Sequence, residues 1–168
     1  MALVSVTLLS SLMMAEACGD KTLRVGRGIR FHRMFAAAHP AAILIYAPSD
    51  SAAMPAAKVS QLQSYLKSVG HRPYAVADFD KLSEALKSRH YDLVLTDLAD
   101  ADRLQKEIES SPWRPVIVPV FYRGTKAECT AAEKQYRIIV KNSARADDYL
   151  SAIYDVMKSK AHQPKRQV

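Results

Sequence analysis

The sequence predicts an α/β domain built on a five-stranded parallel sheet flanked by helices. Three observations predict it. Short apolar runs recur five times between residues 42 and 140. They are continuous rather than alternating, as in strands covered on both faces. Between them lie stretches whose apolar residues return at helical spacing. Strands that alternate with helices form parallel β-α-β units with right-handed crossovers.

The elements follow in order. Ala42-Ile43-Leu44-Ile45-Tyr46 is the first strand, and Pro55 can open the helix after it. Val59, Leu62, Leu66 and Val69 give that helix its inner face, and Gly70 stops it. Pro73 to Ala77 is the second strand, followed by a helix capped by Asp80 with Leu82, Ala85 and Leu86 inward. Leu93-Val94-Leu95 is the third strand, ending at Thr96-Asp97. A helix capped by Asp100 carries Ala101, Leu104 and Ile108 and stops before Pro112. Val116 to Phe121 is the fourth strand. Thr125-Lys126-Ala127-Glu128 reads as a capping box that opens a short helix containing Cys129. Arg137 to Val140 is the fifth strand, and a last helix runs from about Arg145 to Lys158 with Leu150, Ile153 and Met157 inward.

The chain of 168 residues suits one such domain with extensions, and 49% apolar against 24% charged residues excludes wholesale disorder. We divide it into 1–17, 18–40, 41–158 and 159–168. The net charge of +7 is unevenly placed. Residues 1–39 carry +3 and residues 158–168 carry +4, while the segment between has fifteen charges of each sign. A basic groove on the domain is therefore not expected, and neither is nucleic-acid binding. The basic extensions are the segments available for contact with a membrane surface.

Met1 to Ala17 is apolar with no charge before Glu16. It is too short for a comfortable membrane span, which needs ~20 residues, and has the length of a secretory signal's apolar region. Ala15 and Ala17 supply small residues where a signal peptidase cuts, which places processing between Ala17 and Cys18. No Lys or Arg precedes the apolar stretch, so the alternative is an N-terminal core helix in a cytoplasmic protein. The expectation carried forward is export to the periplasm or beyond. Residues 18–40 read as a basic extended arm, with Leu23, Val25, Ile29 and Phe31 interleaved with arginines and a bend at Gly26-Arg27-Gly28.

Enzyme motifs are not found. The two glycines lack the third glycine and the preceding strand of a nucleotide fingerprint, and no Gly-x-Ser-x-Gly elbow occurs. Two cysteines, Cys18 and Cys129, are too few for a disulfide framework, and Cys18 with His32 and His39 falls short of a four-ligand metal site. No metal, cofactor or catalytic residue is expected. Trp113, in Ser-Pro-Trp-Arg-Pro, is expected to act as a lid on the domain, with a contact residue as the alternative.

Tyr91-Asp92-Leu93-Val94-Leu95-Thr96-Asp97 resembles the third strand of response-regulator receiver domains, which ends in the phosphate-accepting aspartate. Ile138-Ile139-Val140-Lys141 resembles their fifth strand, which ends in a characteristic lysine. The resemblance covers about Ala41 to Lys158. It implies a flavodoxin-like three-layer sandwich with strand order 2-1-3-4-5, and makes Asp97 and Lys141 the remnant of a phosphoacceptor site. The rest of that site is missing. Family members carry two acids after the first strand to hold Mg²⁺, and the matching positions are Ala47 and Pro48. They carry Thr or Ser at the end of the fourth strand, where this chain has Val120, and proline after the lysine, where it has Asn142. Asp97 also has a plainer reading, as the cap of the next helix or a partner of Lys141. The expected function is a degenerate, non-catalytic receiver that binds another protein. An active phosphoacceptor at Asp97 and a small-ligand site at the strand-end loops are the alternatives.

Overall fold

The structure is a computed structural model that describes residues 25–141 and 145–161; the expected processing site at Ala17 and Cys18 lies outside them. Its elements run α1 (Val25–Ala38), β1 (Ala42–Tyr46), α2 (Ala56–Ser68), β2 (Arg72–Val76), α3 (Phe79–Ser88), β3 (Leu93–Asp97), α4 (Leu98–Ser110), β4 (Val116–Phe121), α5 (Lys126–Gln135), β5 (Val140–Lys141) and α6 (Ala146–Ala161). The five strands form one parallel sheet of order β2-β1-β3-β4-β5. This is the flavodoxin-like three-layer arrangement.

Alternate side chains of each strand point to opposite faces of the sheet, and both faces are covered. On one side Ile43, Ile45, Leu93, Leu95, Val118 and Val120 pack against α2 and α6 through residues such as Leu62, Leu66, Ile153 and Val156. On the other, Leu44, Tyr46, Val94 and Ile117 meet α3 and α4 through Leu82, Leu86, Leu104 and Ile108. This double cover is why the strand sequences read as continuous apolar runs. The capping box on α5 is formed as expected: Thr125 Oγ1 accepts from the Glu128 N–H at 3.2 Å, and the Thr125 N–H donates to Glu128 Oε2 at 2.7 Å.

Four expectations are corrected. The segment read as an extended arm holds a fourteen-residue helix, α1. Gly26 and Gly28 each cost a helix about 1 kcal/mol, but packing against the rest of the domain outweighs that cost. The ring of His32 stacks on Tyr154 of α6 with centroids 4.4 Å apart, Phe35 meets the same ring edge-on at 4.9 Å, and Ala36 is buried. Those contacts recur at helical spacing, while the alternation seen in the sequence covered only a few residues. The cap of α3 is Asp78 rather than Asp80, and the cap of α4 is Asp97, the second of the two capping residues the sequence offered, rather than Asp100; Asp80 and Asp100 lie in the first helical turns. The fifth strand is Val140–Lys141 only, with Arg137 to Ile139 before it. Trp113 is half exposed and makes an edge contact with His90 at 5.3 Å; it covers no core.

Gly70 explains how α1 can lie where it does. Its φ of +101° ends α2 in a conformation that residues with a side chain rarely adopt. A Cβ there would stand 3.2 Å from the Ala37 Cα, so the glycine also permits close approach of the α1 backbone.

Candidate functional site

In a parallel α/β sheet the loops that can carry chemistry lie beyond the carboxyl ends of the strands. Among the described residues that edge is formed by Ala47, Asp78, Asp97, Tyr122 and Lys141. Asp97 is the last residue of β3, and α4 begins at the next residue, so the strand runs directly into the helix. One oxygen of Asp97 accepts from the Ala99 N–H at 3.3 Å, capping α4. The other accepts from the Ser51 hydroxyl at 3.1 Å. Ser51 Oγ in turn accepts from the Met54 N–H at 3.1 Å, which ties the loop after β1 to the end of β3.

The register shows what stands level with Asp97. Val120 of β4 pairs with it across the ladder, and Val140 of β5 pairs with Val120. On the other side Ile45 pairs with Leu95, so Ala47, two residues on, comes level with Asp97. The row through Asp97 therefore reads Ala47, Asp97, Val120, Val140. Val120 is fully buried, and no hydroxyl faces the aspartate from β4. Lys141 is exposed at the end of β5 and forms an ion pair with Glu133 of α5. Asp97 and Lys141, brought to the same edge as the sequence suggested, are thus held by different partners. An exposed ion pair of this kind contributes little to stability, ~0–1 kcal/mol.

The edge remains acidic around β3. Burial raises the Asp100 carboxyl above its ordinary range, and the neighbouring Asp97 and Asp50 carboxylates add to the effect. No cationic group lies among these causes except the guanidinium of Arg103, which opposes them. Among the described residues no group of three or more His, Cys, Asp or Glu side chains is placed to hold a metal ion. Beside Asp97 an open recess of about 340 Å³ is lined by Leu98, Ala99, Tyr122, Arg123 and Glu128. Its charged lining is Asp97, Glu128 and Arg123, whose guanidinium lies 5.0 Å from the Tyr122 ring centroid.

Ser51 is the partner that sequence reasoning missed. It lies in the unremarkable loop Pro48-Ser49-Asp50-Ser51, where two serines compete for the role. Only the turn made by the Ser51 N–H donating to the Pro48 carbonyl at 3.0 Å decides which of them faces β3.

The comparisons add no relative. No known protein family matches the chain, and no curated protein is similar to it in sequence.

Proposed function

We propose that this chain is a non-catalytic, receiver-like module that works by binding another protein. The observation that carries the reading is the row through Asp97. Phosphoryl transfer to an aspartate needs cations and donors around the transferred group, above all a divalent metal held by carboxylates. Level with Asp97 stand Ala47 and Val120 instead, and both Asp97 oxygens already accept hydrogen bonds. The residue that accepts phosphate in receivers serves here as a helix cap and a loop anchor. We include export in the proposal, on the strength of residues 1–17.

A surface suited to a partner lies at the β5 edge. The β4–β5 ladder has two rungs, and a groove of about 540 Å³ runs beside it between Glu133 of α5 and Asp148, Ser151 and Asp155 of α6. A sheet edge of this kind offers backbone groups and apolar side chains to an incoming segment.

Two measurements test the reading. Intact-mass analysis after treatment with acetyl phosphate and Mg²⁺ is expected to leave the protein unmodified; a stable phosphate adduct that disappears in Asp97→Asn would replace this reading with an active phosphoacceptor. A photo-crosslinking residue at position 148 is expected to trap one protein in cells, while the same residue at exposed Glu84 on α3 does not. The recess beside Asp97 favours a small ligand as the second reading. Native mass spectrometry showing a bound small molecule that is lost when Arg123 and Glu128 are replaced would support it.

A further inference from the structure

The domain carries no net charge between residues 40 and 157, yet its cations are not evenly spread. At the amino ends of β1, β2 and β3, opposite the Asp97 edge, lies an open recess of about 530 Å³. Its walls come from Lys67 of α2, from His71, Arg72 and Tyr74 around the start of β2, and from Arg89 and Tyr91 between α3 and β3. Arg89 lies over the half-exposed Tyr74 ring, 5.9 Å from its centroid. No acid belongs to that lining, and among the described residues no carboxylate pairs with Lys67, Arg72 or Arg89. Asp92 is the carboxylate that acts on this end of the sheet, through His71 and His90, and its own charge is met by the Lys160 ammonium at 3.1 Å.

Two buried donors belong to the same wall. His71 and Tyr91 are each 4% exposed, and among the described residues neither His71 Nε2 nor the Tyr91 hydroxyl has a hydrogen-bond partner. His71 Nδ1 accepts from the Ala41 N–H at 3.1 Å, so Nε2 carries the proton and is a donor. Burial raises the pKa of the Tyr91 hydroxyl, with the Arg89 guanidinium opposing the rise, so this group is a donor at neutral pH as well. Buried groups of this kind are costly to leave unsatisfied, and an acceptor is what both lack. Helix ends account for only part of the cluster. Lys67 is in the last turn of α2 and Arg89 is the C-cap of α3, where a cation offsets roughly half a negative charge. Arg72 and the two buried donors belong to no helix. Three full charges against two such half-charges leave the recess positive.

We infer that this recess binds a small ligand through a phosphate group, held by Lys67, Arg72 and Arg89 and accepting hydrogen bonds from His71 and Tyr91. Guanidinium and ammonium groups together suit a phosphate monoester, with about −1.5 to −2 charges at neutral pH, better than a single carboxylate. The volume falls in the range of ~300–1,000 Å³ typical of small-molecule sites, which leaves room for the body of the ligand beside Tyr74. Arg72 and Arg89 are exposed, so their side chains can turn to bring the phosphate against the buried donors. The inference goes beyond the protein-binding proposal and does not depend on it, since the Asp97 row and the β5 groove lie elsewhere on the sheet.

The test is an NMR titration of the full chain with pyrophosphate, with acetate at equal ionic strength as the control. Backbone amide shifts are expected at residues 71–74 and 89–91 with pyrophosphate alone. Arg72→Gln and Arg89→Gln should each weaken binding about tenfold, the loss of one hydrogen bond to a charged group. Thermal melts of both variants should match the wild type. Tyr91→Phe should weaken binding while raising the melting temperature of the unliganded protein, a combination that a purely structural tyrosine does not give. Equal shifts with acetate, or shifts centred on Arg123 and Glu128 beside Asp97, would overturn the inference. So would an affinity left unchanged by both arginine substitutions or by Tyr91→Phe.

Discussion

Val120 stands directly across the β3–β4 ladder from Asp97, so the neighbouring strand sets a fully buried aliphatic side chain, and no hydroxyl, level with that carboxylate. With Val120 buried in this way, the carboxylate is left to structural work, and its replacements should separate that work from chemistry. Asn caps a helix about as well as Asp, whereas Ala does not. Asp97→Asn should therefore change stability by only a few tenths of a kcal/mol. Asp97→Ala should cost about 1 kcal/mol and loosen the loop that Ser51 anchors. Urea melts of both variants and of Ser51→Ala measure this. An equally large loss in Asp97→Asn would mean that the negative charge, not the cap, is what the site needs.

His71 should give the domain a specific acid sensitivity. The Ala41 N–H donates to Nδ1 at 3.1 Å, which fixes the neutral tautomer with its proton on Nε2. Burial lowers the imidazole pKa from 6.5 to about 4, with Asp92 pulling weakly the other way. The unfolded chain therefore takes up a proton at higher pH than the folded one. The stabilisation is fully present above pH 6.5 and is lost as the pH falls from there toward 4. The loss can reach roughly 3 kcal/mol. His71→Gln should be less stable than wild type at pH 7.5, with the gap closing at pH 4.5. A gap that stays constant across that range would show that His71 titrates normally.

Thr96 lies in the middle of the sheet, fully buried, with its hydroxyl unpartnered. Valine has nearly the same shape and no polar atom to leave unsatisfied. Thr96→Val should raise stability by about 1 kcal/mol, read as a higher melting temperature. A destabilised variant would reveal a hydrogen bond, through water for example, that holds this hydroxyl.

Gly70→Ala should be costly for two reasons that add. The positive φ disfavours any side chain, and the new Cβ would press on the Ala37 backbone. A loss of about 1–2 kcal/mol is expected. Faster amide exchange in α1 than in α2 would accompany it, because α1 is the element displaced. Uniform exchange throughout the domain would refute the link between Gly70 and α1.

Strand truncations grade the sheet. Leu44→Ala and Leu95→Ala each remove a fully buried side chain and should cost about 2–5 kcal/mol. Ile139, which the sequence also placed mid-strand, precedes β5 and is only half buried. Ile139→Ala should cost clearly less than the other two in denaturant melts. Equal losses at all three would restore the longer fifth strand.

The sheet was legible because its signal is local and repeated. Each apolar run is short, covered on both faces and followed by a helical period, so the order of elements could be read off without knowing any contact. The helix α1 was not legible, because its helical state depends on Tyr154, which lies more than a hundred residues away in sequence. Its own composition, with two glycines and alternating arginines, argues the other way. The site shows the same division. Asp97 and Lys141 could be placed at strand ends from sequence, and so could the uncharged Ala47 and Val120 that stand level with Asp97. The capping role of Asp97 could also be read, but its Ser51 partner and the Glu133 partner of Lys141 could not. They depend on one loop turn at Ser51 and on how α5 lies beside β5, and a single sequence records neither.

At the opposite edge of the sheet, Asp92 gathers the domain. Its carboxylate accepts from the Ala42 N–H at 2.9 Å and from the Lys160 ammonium at 3.1 Å. Its carbonyl accepts from Lys160 and from the Val116 N–H. One residue thereby fastens β1, β3, β4 and the last turn of α6. Lys160 belongs to α6, the last of the described elements to be synthesised. Until it emerges from the ribosome, the sheet face that α6 covers stays open, with Ile43, Leu95 and Val118 uncovered. The nascent chain can thus pair its strands before α6 is available but closes the domain only once α6 has emerged, and that interval is when a chaperone would have most to hold.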